Sequence, residues 1–330
     1  MPGFRRGRPV VPVQDGPPPA RATVAARAPD GSRRGPLDCA VSASPSVPQE
    51  FPVTSPSTGS REQLPAPAKI RLRHLQLAKQ KGTPFSMLTS YDQFSARLFE
   101  QAGIEVLLVG DSVGSTVLGH DSTTATTHQD MLTFTGAVAR SVTRPLVVAD
   151  MAFGTYETGP TDALRHGVEL IRAGAEAVKL EGGRTVAAQI RALVDAGIPV
   201  VGHLGFTPQS VNALSGHRVQ GRDDDGAERL LADALAVQEA GASALVLELV
   251  PAALAARITE QLQIPTIGIG AGAQCDGQVL VWQDMAGLSG FQGKFVKVFA
   301  DVGTQLREAA EQYRAEVAER TYPAAEHSFE

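Results

Sequence analysis

Short apolar runs alternate along most of the chain with longer stretches in which apolar residues recur at helical spacing. The runs are continuously apolar and rich in Val, Leu and Ile, which is typical of parallel strands that are covered on both faces. Seven strands are centred on Met87, Leu107, Val147, Val178, Val200, Leu247 and Ile267. An eighth strand, predicted near Met285–Leu288, would close a barrel.

Helices are predicted between these strands, because Ala-Gly pairs end several helical stretches just before an apolar run. Glycine suits the left-handed position after a helix, from which the chain turns directly into a strand. The predicted helices cover residues 70–81, 92–101, 128–140, 160–172, 185–195, 227–240, 252–262 and 302–319. The last of these has one apolar face, which we expect to pack on the barrel or on a neighbouring subunit. That face consists of Leu306, Ala310, Tyr313 and Val317.

This rhythm of strands and helices predicts an α/β protein with a (β/α)8 TIM barrel, for which about 260 residues is an ordinary size. A doubly wound open sheet is the alternative. It is disfavoured because no Gly-x-Gly-x-x-Gly follows the first strand, although three alternate glycines, from Gly268 to Gly272, follow the seventh. That run is either a phosphate loop or a place where backbone closely approaches a neighbour.

An N-terminal extension, residues 1–67, differs in composition from the rest of the chain and holds 14 of the 22 prolines. It is rich in Pro, Ala and Arg and has too few apolar residues to form a core, so we expect it to be disordered. The barrel domain with its C-terminal helix is then predicted over residues 68–330. A transit peptide and a mis-assigned start codon are weaker interpretations of the extension.

Charge and cysteine content exclude several classes of partner. Residues 1–60 carry about +3, and the remainder about −8, since the whole chain is −5. An acidic body argues against a nucleic-acid partner, although the basic extension leaves one route to anionic surfaces. No secretory signal or membrane span is predicted, and the only cysteines are Cys39 and Cys275. A reducing cytoplasm is therefore the expected location, with no membrane partner.

Polar side chains follow most of the predicted strands at the point where each strand ends. In a barrel these positions surround one face, where active sites are built. One such aspartate would be explained as a helix cap, but a converging set favours a functional site. The set consists of Asp111 and Ser112 after the second strand, Asp150 after the third, Lys179 and Glu181 at the fourth, His203 at the fifth and Glu248 at the sixth.

The acids in this set predict a site for a hard metal ion. Neighbouring carboxylates repel one another, so they take up protons or bind a cation, and oxygen ligands favour Mg²⁺. Asp111, Asp150 and Glu181 are the natural ligands. Lys179 lies on the same strand face as Glu181 and is expected to neutralise a substrate carboxylate or keto oxygen, while a Schiff base is the alternative.

His203 and Glu248 each have two interpretations. His203 donates a hydrogen bond to the substrate or is a satisfied histidine beneath a loop. Glu248 lies between apolar residues, which would desolvate its carboxylate and make it a usable base. Its alternative is a helix cap before Pro251.

Several long motifs then occur in order from about Ile70 to the C-terminus. They are VGDSVGSTVLGHDST, ADMAFGTYE, AVKLEGG, GHLGFTPQSVN, VQGR, LVLELVP, IGIGAG and YPAAEHSFE. The chain resembles in these motifs the 3-methyl-2-oxobutanoate hydroxymethyltransferase family, the ketopantoate-forming enzymes of pantothenate biosynthesis. It departs from the family pattern at Phe206, where leucine is expected, and at Ala273-Gln274-Cys275, where a more polar run is expected.

The resemblance implies a barrel of the phosphoenolpyruvate/pyruvate type, one Mg²⁺ per subunit, 5,10-methylenetetrahydrofolate as co-substrate and a homodecamer. It also implies residue roles: Glu248 is the proton acceptor, and His203 lies near the substrate. The metal lies among Asp111, Asp150 and Glu181. The oxo-acid contacts Asp111, Ser112, Asp150 and Lys179.

Three rival functions follow from the same residues. Another Mg²⁺-dependent lyase or aldolase of the same barrel group would use a cysteine near the site, and Cys275 is the only candidate in the barrel. A barrel kept as an interaction scaffold would have lost the acids at its strand ends, which are intact. Nucleic-acid binding would depend on the arginine-rich extension.

Overall fold

A closed barrel of eight parallel strands is the centre of the part of the chain that the computed structural model describes, residues 67–329. Strand order follows the chain, and the last strand pairs with the first, so the (β/α)8 prediction is confirmed. The disorder predicted for the N-terminal extension concerns residues that lie almost wholly outside this range. The strands are β1 Phe85–Thr89, β2 Val106–Val109, β3 Leu146–Asp150, β4 Ala177–Glu181, β5 Val200–Gly205, β6 Ala244–Glu248, β7 Thr266–Ile269 and β8 Gly277–Leu280.

The helices lie where the periodicity predicts them, with small shifts at their ends. The predicted segment 185–195, for example, begins as a 3₁₀ turn over Arg184–Val186 and becomes α-helical only at Ala187. The α-helices are α1 Leu72–Lys81, α2 Gln93–Gln101, α3 Val113–Thr116, α4 His128–Ala139, α5 Pro160–Ala173, α6 Ala187–Asp195, α7 Asp224–Glu239, α8 Ala252–Gln261, α9 Trp282–Met285 and α10 Val302–Glu319.

The eighth strand is the one element whose predicted position is wrong. The sequence predicts it near Met285–Leu288, but β8 begins at Gly277, and residues 282–285 form α9 instead. An apolar run did not mark this strand, because Gly277 and Gln278 interrupt it. Glycine is needed at 277 because the Phe85 ring of β1 lies against the backbone there, and a Cβ would stand 2.5 Å from the ring.

The barrel interior is layered from apolar to charged along the strands. Inward-facing side chains alternate with outward-facing ones, so residues two positions apart point to the same side of the barrel wall. In β4, for example, Ala177 lies in the apolar interior cluster, and Lys179 and Glu181 follow it on the same face. β4 thus carries an apolar side chain at its amino end and delivers charged ones to its carboxyl end.

Helix α1 closes the amino end of the barrel. Leu75 packs into the interior cluster. The Lys79 ammonium donates to Asp276, just before β8, and to the Thr259 carbonyl. The other end therefore remains as the open mouth, where the polar strand ends lie.

Helix α10 has none of its side chains buried by the rest of residues 67–329. Its predicted apolar face is largely exposed, with Leu306 at 61% and Tyr313 at 59%. Of the two expected partners for this face, the barrel of the same chain is therefore excluded. Within the described residues, no helix has both the length and the apolar character that crossing a membrane requires.

Candidate active site

The strand-end side chains converge at the carboxyl end of the barrel, as predicted. Parallel pairing sets Asp150 opposite Lys179 and Glu181 opposite His203, so adjacent strands deliver their polar groups at nearly the same height. Asp111 follows β2 directly, and its backbone N–H donates to Asp150 Oδ2 over 3.0 Å. These side chains are buried, although each is ionisable or polar.

Lys179 is the cation that holds this cluster together. Its Nζ lies 3.1 Å from Asp150 Oδ1 and 3.3 Å from His203 Nδ1. Asp150 therefore receives charge from Lys179 on one oxygen and the Asp111 amide on the other. Burial disfavours the charged ammonium, but the surrounding Asp150, Glu181 and Asp111 raise the pKa of Lys179 above its ordinary value, so the side chain is charged.

His203 lies between two glutamates. Its Nδ1 is 3.3 Å from Glu181 Oε1, and its Nε2 is 3.2 Å from Glu248 Oε2, although neither pair is aligned as a hydrogen bond. Burial, reinforced by the charge of Lys179, lowers the pKa of His203, so the imidazole is neutral. With Lys179 donating to Nδ1, the proton belongs on Nε2, which faces Glu248. The alternative, a satisfied histidine beneath a loop, is disfavoured by Nε2, which is buried without an aligned hydrogen-bond partner.

Asp111 and Glu181 are joined by a residue to which the sequence assigned no role, Gln209. The Gln209 amide Nε2 donates to Asp111 Oδ2 over 2.8 Å, and its backbone N–H donates to Glu181 Oε2 over 3.0 Å. Tyr156 fixes the amide, because its hydroxyl donates to Gln209 Oε1 over 2.6 Å. Gln209 lies in the GHLGFTPQSVN motif, where a polar side chain after Thr-Pro was the only available signal.

Ser112 is positioned by a second unassigned residue, Tyr91. The two hydroxyls are 2.7 Å apart. Burial raises the pKa of Tyr91 to about 12, so the phenol remains neutral. Ser112 also begins the short helix α3 without a side-chain capping bond, which leaves its hydroxyl for the site.

The carboxylates of the cluster are destabilised by one another and by burial. Burial together with repulsion from Asp150 and Glu181 raises the pKa of Asp111 well above its ordinary value. Burial also raises the pKa of Glu181 to about 7, against the opposing effect of Lys179. One ammonium therefore does not balance the acids, and a further cation would stabilise their ionised forms.

The three acids are not arranged as a finished metal site. Within residues 67–329, no group of three or more His, Cys, Asp or Glu side chains has the geometry of one. Asp150 Oδ1 and Glu181 Oε1 are nevertheless buried without an aligned hydrogen-bond donor. Carboxylate oxygens are the ligands that Mg²⁺ takes, so the donor set fits the ion in its chemistry.

A cavity of about 540 Å³ opens at the mouth of the barrel above these groups. The predicted residues that line it are Asp111, Ser112, Lys179, Glu181, His203 and Glu248. Asp150 lies behind this lining and meets the site through Lys179 and Asp111. Phe206, a departure from the family pattern, also lines the cavity and packs on His217, with ring centroids 4.7 Å apart.

Two further predictions concern residues near the seventh strand. Cys275 is buried, lies beside Thr266 and Thr259, and is not part of the cavity wall, so it does not supply the catalytic cysteine of a lyase. The glycine run lets neighbouring side chains lie close to the backbone. A Cβ at Gly270 would stand 2.9 Å from Leu249 and 3.2 Å from Phe295.

Sequence comparison places this site in a known family. The model of ketopantoate hydroxymethyltransferase matches residues 69–325. The 3-methyl-2-oxobutanoate hydroxymethyltransferase of Leifsonia xyli subsp. xyli is 53% identical over 287 residues, which cover 86% of this chain and 100% of that protein. The protein of the same name from Mycobacterium tuberculosis strain H37Rv is 57% identical over 263 residues, 79% of this chain and 93% of the relative.

A solved structure supports the barrel type independently. The 2,3-dimethylmalate lyase of the PEP mutase/isocitrate lyase superfamily superposes with a TM-score of 0.51 at 17% identity, covering 78% of this chain and 91% of that one. At this identity the likeness concerns the fold alone, and it agrees with the closed barrel of parallel strands described above. The family match extends over nearly all of the described residues, including every strand end discussed above. The chain belongs to the ketopantoate hydroxymethyltransferase family.

Proposed function

We propose that this enzyme transfers a hydroxymethyl group from 5,10-methylenetetrahydrofolate to 3-methyl-2-oxobutanoate and releases 2-dehydropantoate and tetrahydrofolate. The observation that carries the proposal is that a charged lysine, buried acids and a glutamate–histidine pair meet in one cavity at the barrel mouth. An oxo-acid needs those groups: a cation for its carboxylate and keto oxygens, and a base for its C3 proton.

Lys179 and Ser112 bind the oxo-acid in this proposal. Lys179 is charged and lines the cavity, so it attracts the carboxylate and stabilises negative charge that develops on the keto oxygen. Tyr91 holds the Ser112 hydroxyl at the same wall. A Schiff base is disfavoured, because Asp150 keeps the ammonium protonated and therefore not nucleophilic.

Glu248 removes the C3 proton. Its side chain retains 16% exposure, whereas Asp111 and Glu181 are buried, so Glu248 is the most accessible of the strand-end acids that line the cavity. His203 Nε2 lies 3.2 Å from Glu248 Oε2, so its N–H dipole faces the carboxylate without an aligned hydrogen bond. The enolate C3 forms a bond to the one-carbon unit. The bonds that join the one-carbon unit to the folate nitrogens break. Water supplies the hydroxyl oxygen, and the C3 proton and a water proton end on the folate nitrogens.

Asp111, Asp150 and Glu181 would hold one Mg²⁺ per subunit. Their burial, their mutual repulsion and the two oxygens without aligned donors support this assignment. A bound Mg²⁺ acts as a Lewis acid that draws charge from the substrate oxygens. The Gln209 contacts to Asp111 and Glu181 keep these two side chains in place.

The test is an assay of the full chain with Mg²⁺, the oxo-acid and methylene-labelled folate. Appearance of the label in 2-dehydropantoate supports the function. Cleavage of a C–C bond in dicarboxylic 2-hydroxy or 2-oxo acids, without folate-dependent transfer, would instead indicate a lyase and overturn it.

The enzyme self-associates in this proposal, as a homodecamer by family resemblance. The exposed apolar face of α10, with Leu306 and Tyr313, supports association, because such a face is stabilised by a partner. Light scattering of the intact protein measures the assembly, and a monomer would contradict it. A cytoplasmic location is part of the same proposal, since two cysteines are too few for the disulfide framework of a secreted domain.

A further inference from the structure

The cavity extends beyond the acid cluster into a second, largely apolar half. The wall there is built by the ends of β7 and β8 and by the segment that follows α9. Its side chains are Ile269, Leu280, Val281, Phe291 and Phe295. A small oxo-acid bound at Lys179 occupies only the polar half, so this second half is available to the other substrate.

Asp284 is the one carboxylate in that apolar half. Its Oδ1 accepts a hydrogen bond from the Ser289 hydroxyl, whose oxygen in turn accepts from the Phe291 backbone N–H over 3.2 Å. The backbone N–H groups of residues 288 and 289 donate to the Gln283 carbonyl and close the turn. These contacts fix the carboxylate and Phe291 relative to each other.

The second oxygen of Asp284 has no donor among residues 67–329, and no cation of that range lies within 4 Å of the carboxylate. Burial raises the pKa of Asp284, in keeping with a carboxylate that lacks a positive partner. A carboxylate held in this way gains most from a ligand that offers it two parallel N–H donors.

Aromatic rings cover the same space. Phe291 and Phe295 lie with their centroids 6.0 Å apart, at an angle of 57°. Gly270 leaves room for Phe295, since a Cβ at that position would stand 3.2 Å from the phenylalanine side chain. Faces of this kind stack on flat heterocycles.

We propose that Asp284 binds the edge of the folate pterin that carries the 2-amino group and N3–H, and that Phe291 and Phe295 cover the ring. This assignment rests on the proposed function and names the residues that recognise its second substrate. Because Asp284 and Glu248 line one cavity, the carbon donor and the oxo-acid share a single enclosed space. Direct transfer between them requires such a space.

The variant Asp284→Asn tests the assignment, because an amide offers one acceptor and a repelling N–H₂ group. We expect the KM for 5,10-methylenetetrahydrofolate and the calorimetric Kd for tetrahydrofolate to rise about 10- to 100-fold. The KM for the oxo-acid and the folate-independent exchange of its C3 hydrogen should not change, which also shows that the variant is folded. Asp225→Asn is the matched control, on an exposed aspartate without an ion pair in the described residues.

A ligand change gives a second measurement that does not depend on the variant. Wild-type enzyme should bind an analogue of tetrahydrofolate without the 2-amino group about 10-fold more weakly than tetrahydrofolate, and Asp284→Asn should not discriminate between the two. Equal binding of both ligands by the wild type would overturn the assignment, as would an unchanged folate KM in Asp284→Asn.

The two proposals fail separately. If wild-type enzyme exchanges the C3 hydrogen but transfers no carbon from folate, the proposed function fails. If it transfers the carbon and Asp284→Asn behaves as the wild type does, the proposed function stands and the pterin assignment alone fails.

Discussion

Single residues in this site act through their neighbours more than through their own identity. Burial, reinforced by the charged Lys179 beside it, lowers the pKa of His203, and Lys179 is charged because Asp150 lies 3.1 Å away. Glu248 differs from the rest, since it is partly exposed and touches the cluster only through His203. A substitution at Glu248 should therefore change the chemistry of this residue with the least effect on the rest of the cluster.

Glu248→Gln should retain binding of the oxo-acid and lose exchange of its C3 hydrogen with deuterated water. The amide cannot accept the proton, and general-base catalysis contributes about 10²- to 10⁴-fold to such a step. Exchange is followed by proton NMR in the absence of folate, and binding by calorimetry. Undiminished exchange would remove Glu248 from the base role.

Asp150→Asn should weaken Mg²⁺ binding by about 10-fold or more, since the substitution removes charge from the cluster while it keeps the shape of the side chain. Titration calorimetry with MgCl₂ in the presence of oxo-acid measures the affinity. The control is Asp162→Asn, because Asp162 pairs with Arg165 on the exposed surface of α5. If Asp150→Asn binds Mg²⁺ as the wild type does, the metal is held elsewhere.

The sequence predicted which side chains would meet but not what holds them. Strand periodicity predicts that the strand-end residues meet, because the carboxyl ends of all strands in a parallel barrel lie around one face. These residues are Asp150, Lys179, Glu181, His203 and Glu248. Gln209 lies in a loop, and its contacts join it to residues that are 28 and 98 positions away in the sequence. No local pattern encodes such pairs.

At the scale of elements, the sequence predicts strands that are buried on both faces but does not predict weakly apolar strands. β3 is buried throughout, and it was predicted from its apolar run. β8 has an exposed glutamine and a glycine, so its place is decided by pairing with β1 and by the volume of Phe85. Tertiary packing therefore overrides the local pattern at the point where the barrel closes.

Gly277→Ala should destabilise the fold by about 1–3 kcal/mol, because its methyl group would overlap the Phe85 ring in a packed interior. Urea unfolding measures the change. In a Phe85→Leu background the same substitution should cost less, since the smaller side chain leaves space, and the two effects should not be additive. Additive effects would show that the ring does not oppose a side chain at 277.

On the scale of the whole molecule, the described barrel already contains every element that the proposed chemistry uses. The cavity, the acid cluster and the apolar half with Asp284 all lie within residues 67–329. The family model matches residues 69–325, which lie within the barrel domain.

Deletion of residues 1–65 should leave turnover and the thermal midpoint nearly unchanged. The extension is proline-rich and poor in apolar residues, so it offers the barrel little surface to bury. The truncated chain keeps Lys69, whose ammonium donates to the Pro145 carbonyl and to Glu176 at the amino end of the barrel. Deletion of residues 1–69 is the matched control: it removes that contact and should lower the midpoint. If deletion of residues 1–65 lowers the midpoint or turnover as much as deletion of residues 1–69 does, the extension is part of the folded enzyme.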